Sequence, residues 1–321
     1  MRSARIPLLL VLALLCGAAC AQQYPVRPVR IVIPFTAGSA ADIIARAMEP
    51  QMREKLGQSL VIDNRGGAGG NIAAELTAKS PPDGYTIMMG TIGTHAINAS
   101  LYSKLPYDPV RDFTPVALVG ESPNVLVLNP RVPAKSIKEL IALAKSKPGL
   151  LNYGSSGAGT SVHLSGELFD TLAGVKMVHV PYKGATEALT ALLGGQLDLM
   201  FASLSSATPL IKSGRLRAFA VTGERRSPSM PELPTMIEAG VPGFVAVAWY
   251  GLVGPAGLQP NVVTTLNSAA LSALGTQEVK DRLFASGVEV HTSTPDEFAR
   301  LINAEIRKWA KVVQASGARA D

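Results

Sequence analysis

The sequence predicts an α/β protein built of two lobes. Segments typical of strands alternate with segments typical of helices along the whole chain, and the alternation begins again with different loops after residue 123. Length agrees with this prediction. Without a 21-residue leader, described below, 300 of the 321 residues remain, the usual size of two domains.

The first half of the chain reads as βαβαβ. Helix 40–56 has apolar residues on one face and ends at Gly57, a residue typical of helix ends. The strands are predicted at 29–33, 60–62 and 85–89, and a second helix at 72–79. This order favours a largely parallel sheet with helices on its faces.

The second half repeats the pattern. We predict two short strands, 116–119 and 125–128, separated by residues 121–124. Further strands follow at 151–153, 178–180, 197–201 and 217–221, with helices at 136–147, 161–173 and 187–193, and later at 262–274 and 295–314. Residues 24–123 and 249–321 are assigned to lobe 1, and residues 124–248 to lobe 2.

The N-terminus predicts export. Arg2 and Arg5 precede an almost wholly apolar run at 6–15, and small residues follow to Ala21, which is the order of a secretory signal peptide. The run is too short to span a bilayer, and we expect cleavage after Ala21. A lipoprotein with lipid on Cys20 is the alternative, but Gly17 stands where such signals usually have a large aliphatic residue.

Composition excludes several function classes. Both cysteines lie in the leader, so the mature chain has no disulfide, thiol nucleophile or cysteine metal site. The histidines have no i,i+4 spacing, and we expect no metal or other cofactor. After loss of Arg2 and Arg5, 28 basic residues face 24 acidic ones, a net charge of +4 without a basic block that would bind nucleic acid.

Small residues cluster where strands lead into helices. Four loops have this character, at 34–42, 66–71, 90–94 and 154–161. Free N–H groups at the starts of helices bind anions, glycine lets a ligand approach the backbone, and Ser and Thr add donors. In open α/β sheets ligands bind beyond the carboxyl ends of the strands, so these loops predict an anion site, although glycine also occurs in tight βα turns for structural reasons alone.

A serine hydrolase is the competing enzyme hypothesis. Residues 154–158 nearly match the G-x-S-x-G elbow, with Ser156 as the nucleophile. The histidines downstream are His163, His179 and His291; His163 falls in a predicted helix and His179 in a predicted strand, so neither lies on a loop typical of a triad base. We therefore expect no catalysis.

Four further residues have two interpretations each. Asp42 either stabilises the start of its helix or contacts ligand. Asp198 lies in an apolar run, where a carboxylate needs a partner or a place in the cleft. Trp249 and Tyr250 either close over a ligand or pack the hinge between the lobes, and packing is favoured.

Seven motifs, taken together and in order, carry a family resemblance. They are PFTAG at 34–38 with Asp42; NRGGAGGN at 64–71; PDGYT at 82–86; YDP at 107–109 with DF at 112–113; PYKG at 181–184; GGQ at 194–196 with Asp198; and PT at 234–235 with EAG at 238–240. Through them the mature chain resembles the Bug family of periplasmic solute receptors, the extracytoplasmic component of tripartite tricarboxylate transporters.

The resemblance implies a type II periplasmic binding protein, with two mixed sheets flanked by helices and a ligand cleft between the lobes. It implies a small organic carboxylate held by backbone N–H groups and ordered water. The implied ligand-binding residues are Phe35, Ala37, Gly38, Ser39, Thr91, Thr94, Ser156, Gly157, Ala158, Thr160, Ser161 and Asp198.

From the resemblance we expect a monomeric receptor. It would capture a carboxylate in the periplasm and deliver it to the integral-membrane permease of a tripartite transporter. A sensor receptor that reports its ligand to a signalling partner is an alternative. Which carboxylate is bound, whether a di- or tricarboxylate, an amino acid or an aromatic acid, is left open by the sequence, because backbone donors recognise the carboxylate and not the remainder of the molecule.

Overall fold

The computed structural model describes residues 24–320. The predicted signal peptide, its cleavage after Ala21 and the alternative at Cys20 lie outside the described residues and stay predictions. Between residues 24 and 320, no helix is long and apolar enough to cross a membrane. We use the names lobe 1 and lobe 2 for the ranges predicted from the sequence.

Strands and helices alternate along most of the described residues, as predicted, but the helices at 98–101, 204–212 and 277–285 and the strand at 289–290 were not predicted. The strands are β1 Val29–Ile33, β2 Leu60–Asn64, β3 Thr86–Thr91, β4 Phe113–Leu128, β5 Asn152–Ser155, β6 Val178–Pro181, β7 Leu199–Ser203, β8 Arg217–Val221, β9 Val247–Pro255 and β10 Glu289–Val290. The helices are α1 Ala40–Leu56, α2 Asn71–Ala78, α3 Asn98–Leu101, α4 Ile137–Ser146, α5 Ser161–Ala173, α6 Ala185–Leu193, α7 Leu204–Lys212, α8 Pro260–Gly275, α9 Gln277–Ala285 and α10 Pro295–Ser316.

Helix α1 shows why the sequence prediction of its bounds is confirmed. Ser39 caps its start by accepting a hydrogen bond from Asp42 N, and Gly57 ends it with φ of 65°. Its apolar face, which includes Ile44 and Met48, is buried against the sheet and α8. The predicted stop and the predicted face are therefore both correct.

The sheet order follows from the βαβ units. Across the described strands it runs β2-β1-β3-β9-β4-β7-β5-β6, with β8 and β10 pairing with β4. In lobe 1, β1 is parallel to β2 and β3, and in lobe 2, β5 is parallel to β6 and β7. Loops at the carboxyl ends of β1 and β3 therefore face loops at the carboxyl ends of β5 and β7.

Strand β4 corrects the prediction of two strands separated by residues 121–124. It is continuous, because residues 121–123 pair with β9 in antiparallel register up to Pro123↔Val247. From Asn124 onward the same strand pairs with β7 and β8. Proline and asparagine favour a turn in isolation, but a partner strand on each side extends the backbone through them. β4 and β9 are thus the two strands that run between the lobes.

Helix α10 closes lobe 1 at the C-terminus. Thr294 and Glu297 form a reciprocal capping box at its start. Phe298, Ile302 and Trp309 are buried along one stripe, as the helical spacing predicts.

Candidate functional site

A partly open cavity of about 30 Å³ lies between the lobes at the carboxyl ends of their strands. The lining residues are Phe35, Ser39, Ala40, Thr91, Ile92 and Gly93 from lobe 1, Ser156, Thr160, Ser161, Val162, Ala185 and Ser203 from lobe 2, and Ala248 and Tyr250 from β9.

Lobe 1 presents the start of helix α1 to this cavity. Ser39 lines the cavity and caps α1. Asp42 lies directly behind, where its carboxylate accepts hydrogen bonds from Gly38 N, the Arg46 guanidinium and Asn64 Nδ2. Burial acts to raise the pKa of Asp42, but these hydrogen bonds outweigh it and hold the pKa below its usual range. Asp42 is therefore occupied in shaping the loop, the structural one of its two interpretations.

Lobe 2 presents the start of helix α5. Thr160 caps it by accepting from His163 N, and its hydroxyl also donates to the Gly157 carbonyl at 2.8 Å. Ser156, Thr160 and Ser161 line the cavity from this side. Two helix starts, one from each lobe, thus meet at one cavity.

The floor of the cavity comes from β7 and β9. Ser203 and Ala248 were missed in the sequence, and Tyr250 lines the cavity although packing was the favoured interpretation. Ser203 ends β7, while Ala248 and Tyr250 alternate on one face of β9 and Trp249 points to the other face, edge-on to Phe298. Burial, partly offset by a contact with Ser203, raises the pKa of Tyr250 to about 12, so at neutral pH its hydroxyl is protonated and can donate. Period-two alternation in 247–253 was the available signal.

Among the described residues, the cavity lining contains no Asp, Glu, Lys, Arg or His. Favourable interaction with an anion comes instead from the free N–H groups and the positive dipole ends of α1 and α5. The hydroxyls of Ser, Thr and Tyr add donors, and Phe35, Ile92 and Val162 add apolar surface. The lining therefore combines hydrogen-bond donors with apolar surface.

The lobes are in contact around this cavity. The Thr186 hydroxyl donates to the Ala37 carbonyl at 2.9 Å, and the Ser206 hydroxyl donates to the Gly38 carbonyl at 3.2 Å. On another side, Gly69 lies so close to lobe 2 that a Cβ atom there would be 2.0 Å from the Ala158 carbonyl oxygen. The two lobes are therefore in a closed conformation, and backbone carbonyl groups take part in the contact between them.

The twelve predicted ligand-binding residues divide into three groups. Six line the cavity, namely Phe35, Ser39, Thr91, Ser156, Thr160 and Ser161. Five surround it without lining it: Ala37 and Gly38 accept hydrogen bonds from lobe 2, Gly157 and Ala158 face Gly69, and Thr94 is buried behind Thr91.

Asp198 is the twelfth, and the structure places it away from the cavity. It precedes β7, at the end of that strand opposite to Ser203. Its carboxylate accepts a hydrogen bond from Asn152 N at 2.7 Å, which is the partner that its position in an apolar run requires. We therefore leave Asp198 out of the proposed site.

The hydrolase hypothesis finds no support in the geometry of its serine. The histidine ring in lobe 2 that contacts a serine is His179, whose Nε2 is 2.6 Å from Ser155 Oγ and not from Ser156. Ser155 is fully buried, so no substrate reaches it. Within residues 24–320, no group of three or more His, Cys, Asp and Glu is arranged to hold a metal ion.

Comparison with known families gives the site a context. A family model described as "Tripartite tricarboxylate transporter family receptor" matches residues 44–318. The chain belongs to this receptor family. Protein BugT of Bordetella pertussis is similar to the receptor, at 37% identity over 300 residues that cover 93% of this chain and 92% of BugT.

Two solved structures extend the match to the fold. R. palustris Rpa4515 with adipate has a TM-score of 0.89 and 41% identity, covering 92% of this receptor and 98% of that chain. MatC from Rhodopseudomonas palustris with bound malate has a TM-score of 0.87 and 38% identity, covering 90% and 100%. The predicted family and the predicted two-lobe periplasmic-binding-protein fold are confirmed.

Proposed function

We propose that this receptor binds a small organic carboxylate between its lobes and delivers it to the permease of a tripartite transporter. One observation carries the proposal: a cavity lined by no charged side chain lies between the lobes where α1 and α5 both begin. Such a cavity favours an anion through backbone dipoles while leaving no fixed cation to retain it. The adipate and malate held by the two similar structures support the same ligand class.

The lining favours a ligand with a hydrocarbon part, because Phe35 and Val162 add apolar surface to the cavity. A second polar group on such a ligand would meet the Tyr250 and Ser203 hydroxyls on the floor.

Ligand and closure are coupled in this proposal. Lobes 1 and 2 move about β4 and β9, and a ligand that contacts both lobes stabilises the closed state by its differential affinity. The closed receptor is the form that the permease recognises. We propose that it works as a monomer in the periplasm after export by the predicted signal peptide, and that it carries out no catalysis.

The test is a thermal-shift screen of residues 22–321 against mono-, di- and tricarboxylates, amino acids, aromatic acids and neutral sugars. A carboxylate that binds the folded state raises the melting temperature in a concentration-dependent way. A shift with a sugar and with no acid would contradict the proposal.

Ser161→Asp and Ser161→Asn provide a matched pair for the same screen. Ser161 opens α5 and lines the cavity, so a carboxylate there is compatible with the helix dipole but repels an anionic ligand. We expect S161D to fold and to show no shift with acids, and S161N to keep a smaller shift. Equal shifts in both variants would show that the ligand is not an anion held at this helix.

A further inference from the structure

A cluster of polar rings lies beneath the cavity-lining loop of lobe 2. The His163 ring, on α5, stacks on the His179 ring, on β6, with centroids 3.9 Å apart. Tyr153 on β5 stacks on His179 at 5.0 Å and donates its hydroxyl hydrogen bond to Glu167 on α5. None of these four side chains lines the cavity. The binding of ligand described above does not use them.

Each histidine nevertheless holds one backbone N–H group of the loop. Gly159 N donates to His163 Nδ1 at 3.2 Å. Gly157 N donates to Ser155 Oγ at 3.1 Å, and Ser155 Oγ is in turn 2.6 Å from His179 Nε2. The two stacked rings thus fix two alternate glycines of one loop, one directly and one through a serine.

These two glycines are the residues of the loop whose backbone conformation most depends on outside contacts. Gly157 and Gly159 have φ of 127° and 82°, so their own conformational preferences hold them weakly. They stand between Ser156 and Thr160, which line the cavity. Gly157 also packs against Gly69 of lobe 1. A shift of this segment would move cavity donors and closure contacts together.

The hydrogen bond to His163 requires a defined protonation state. Nδ1 accepts from Gly159 N and so carries no proton, which leaves the proton on Nε2, 3.5 Å from Glu167 Oε1. A second proton on His163 would occupy the acceptor and release Gly159. The stacked arrangement opposes charge on both rings, and burial, followed by His163, lowers the pKa of His179 to about 3.

We propose that His163 and His179 are positioning residues that hold the 156–161 loop in its binding conformation, and that they do so only as neutral rings. The proposal rests on the proposed carboxylate-binding function. The titratable groups facing the two rings are Tyr153 and Glu167, with Asp170 one turn further along α5.

The decisive variants are His163→Asn and His163→Leu. Asparagine carries an oxygen acceptor at the same number of bonds from Cα as Nδ1 and does not titrate, whereas leucine has a similar size and no acceptor. With adipate and malate as probes at neutral pH, we expect H163N to bind within about threefold of the unsubstituted receptor and H163L to bind about tenfold more weakly.

For His179, the corresponding variants are His179→Gln and His179→Leu. Glutamine places a polar terminal group at the level of Nε2, so H179Q should keep the contact with Ser155 and H179L should lose it. We expect H179L to lose less affinity for the probes than H163L, because Gly157 N keeps Ser155 Oγ as its acceptor. Ser155 Oγ, however, loses its hydrogen bond to the His179 ring.

A measurement without ligand tests the geometry directly. In receptor labelled with ¹⁵N at glycine and histidine, a through-hydrogen-bond coupling should join Gly159 N to His163 Nδ1 at neutral pH. Hydrogen exchange at Gly159 should be faster in H163L than in H163N.

The outcomes separate the two proposals. Absence of the coupling at neutral pH, or equally slow exchange at Gly159 in H163L and H163N, would overturn the positioning role whether or not a ligand is found. Equal probe affinity in H163L and the unsubstituted receptor would overturn it as well. A receptor that shows the coupling but binds no acid at all would contradict the proposed function, and with it the link from loop to ligand.

Discussion

Two glycine-rich loops that look alike in sequence have different surroundings in the structure. The loop at 66–70 in lobe 1 does not line the cavity, and its Gly69 abuts the Ala158 carbonyl of lobe 2. The loop at 154–161 in lobe 2 lines the cavity through Ser156, Thr160 and Ser161. In the loop at 66–70, glycine permits the two lobes to come into contact. In the loop at 154–161, glycine lets the backbone turn between the Ser and Thr residues that line the cavity.

The difference teaches that glycine content alone does not distinguish a ligand contact from a closure contact. What distinguishes the loops is hydroxyl content, since the loop at 66–70 has no Ser or Thr and the loop at 154–161 has four. Substitutions in one loop should therefore affect closure, and substitutions in the other should affect ligand affinity in the closed state.

Gly69→Ala should have the largest effect. Its Cβ would lie 2.0 Å from the Ala158 carbonyl oxygen, so the lobes should be unable to close fully. We expect carboxylate affinity to fall by about 100-fold or more, because ligand would no longer be contacted by both lobes. Small-angle scattering should show the radius of gyration unchanged by ligand.

Gly57→Ala is the matched control for that experiment. Gly57 has φ of 65° against 61° for Gly69, and nothing lies within 4 Å of a Cβ built there. Both variants should lose about 1 kcal/mol of stability from the left-handed conformation. If G57A loses as much affinity as G69A, backbone strain and not lobe contact is the cause.

Next in size is the effect of acid on stability. Burial lowers the pKa of His95 to about 3, so His95 is neutral in the folded state while in the unfolded state it gains a proton near its ordinary pKa of 6.5. The stability that neutral His95 contributes is fully present above about pH 6.5 and is lost as pH falls toward 3. His179 acts in the same direction, and Asp170, whose pKa burial raises to about 6, acts in the opposite direction.

We expect denaturant unfolding at about pH 4.5 to give a free energy lower than at neutral pH, with about 2 kcal/mol of the difference due to His95. His95→Asn keeps a polar group for the hydrogen bond with the Thr94 hydroxyl, which lies 2.8 Å from His95 Nδ1, and cannot titrate. The loss on acidification should be smaller in H95N by that amount. An unchanged loss would show that His95 does not stay neutral in the folded receptor.

Thr160→Ala should have a moderate effect that separates capping from binding. Thr160 caps α5 and lines the cavity, whereas Ser136 caps α4 outside the cavity. T160A and S136A should each lose about 1 kcal/mol of stability. Only T160A should lose affinity, by about tenfold in isothermal titration with the best acid of the screen. Equal affinity in the two variants would remove Thr160 from the proposed site.

Tyr250→Phe should have the smallest effect. The change removes one hydroxyl from the cavity floor and keeps the ring packing. We expect affinity for a diacid to fall by about fivefold and affinity for the matching monoacid to stay the same. Tyr85→Phe, outside the cavity, serves as the control and should bind both acids like the unsubstituted receptor.

Local patterns predicted the elements well and long-range pairing poorly. Helix α1 was correct from Ala40 to Leu56, because its cap, apolar face and stop are all local signals. Strand β4 was predicted as two strands, because the pairing of residues 121–123 with β9 involves partners more than 120 residues away. Asp198 was predicted in the cleft, because the sequence does not reveal which end of a strand faces a ligand.

The sequence by itself determined the alternation of strands and helices, the starts of α1 and α5, and the family resemblance, since each depends on neighbouring residues or on motifs in order. Only the tertiary structure decided that Ser203 and Tyr250 reach the same cavity as Ser39, that Gly69 meets Ala158, and that His163 and His179 stack beneath one loop. The physical reason is that two lobes and two crossing strands form the cavity together. Packing across the sheet sets the distances between these parts, and no single segment of the chain determines them.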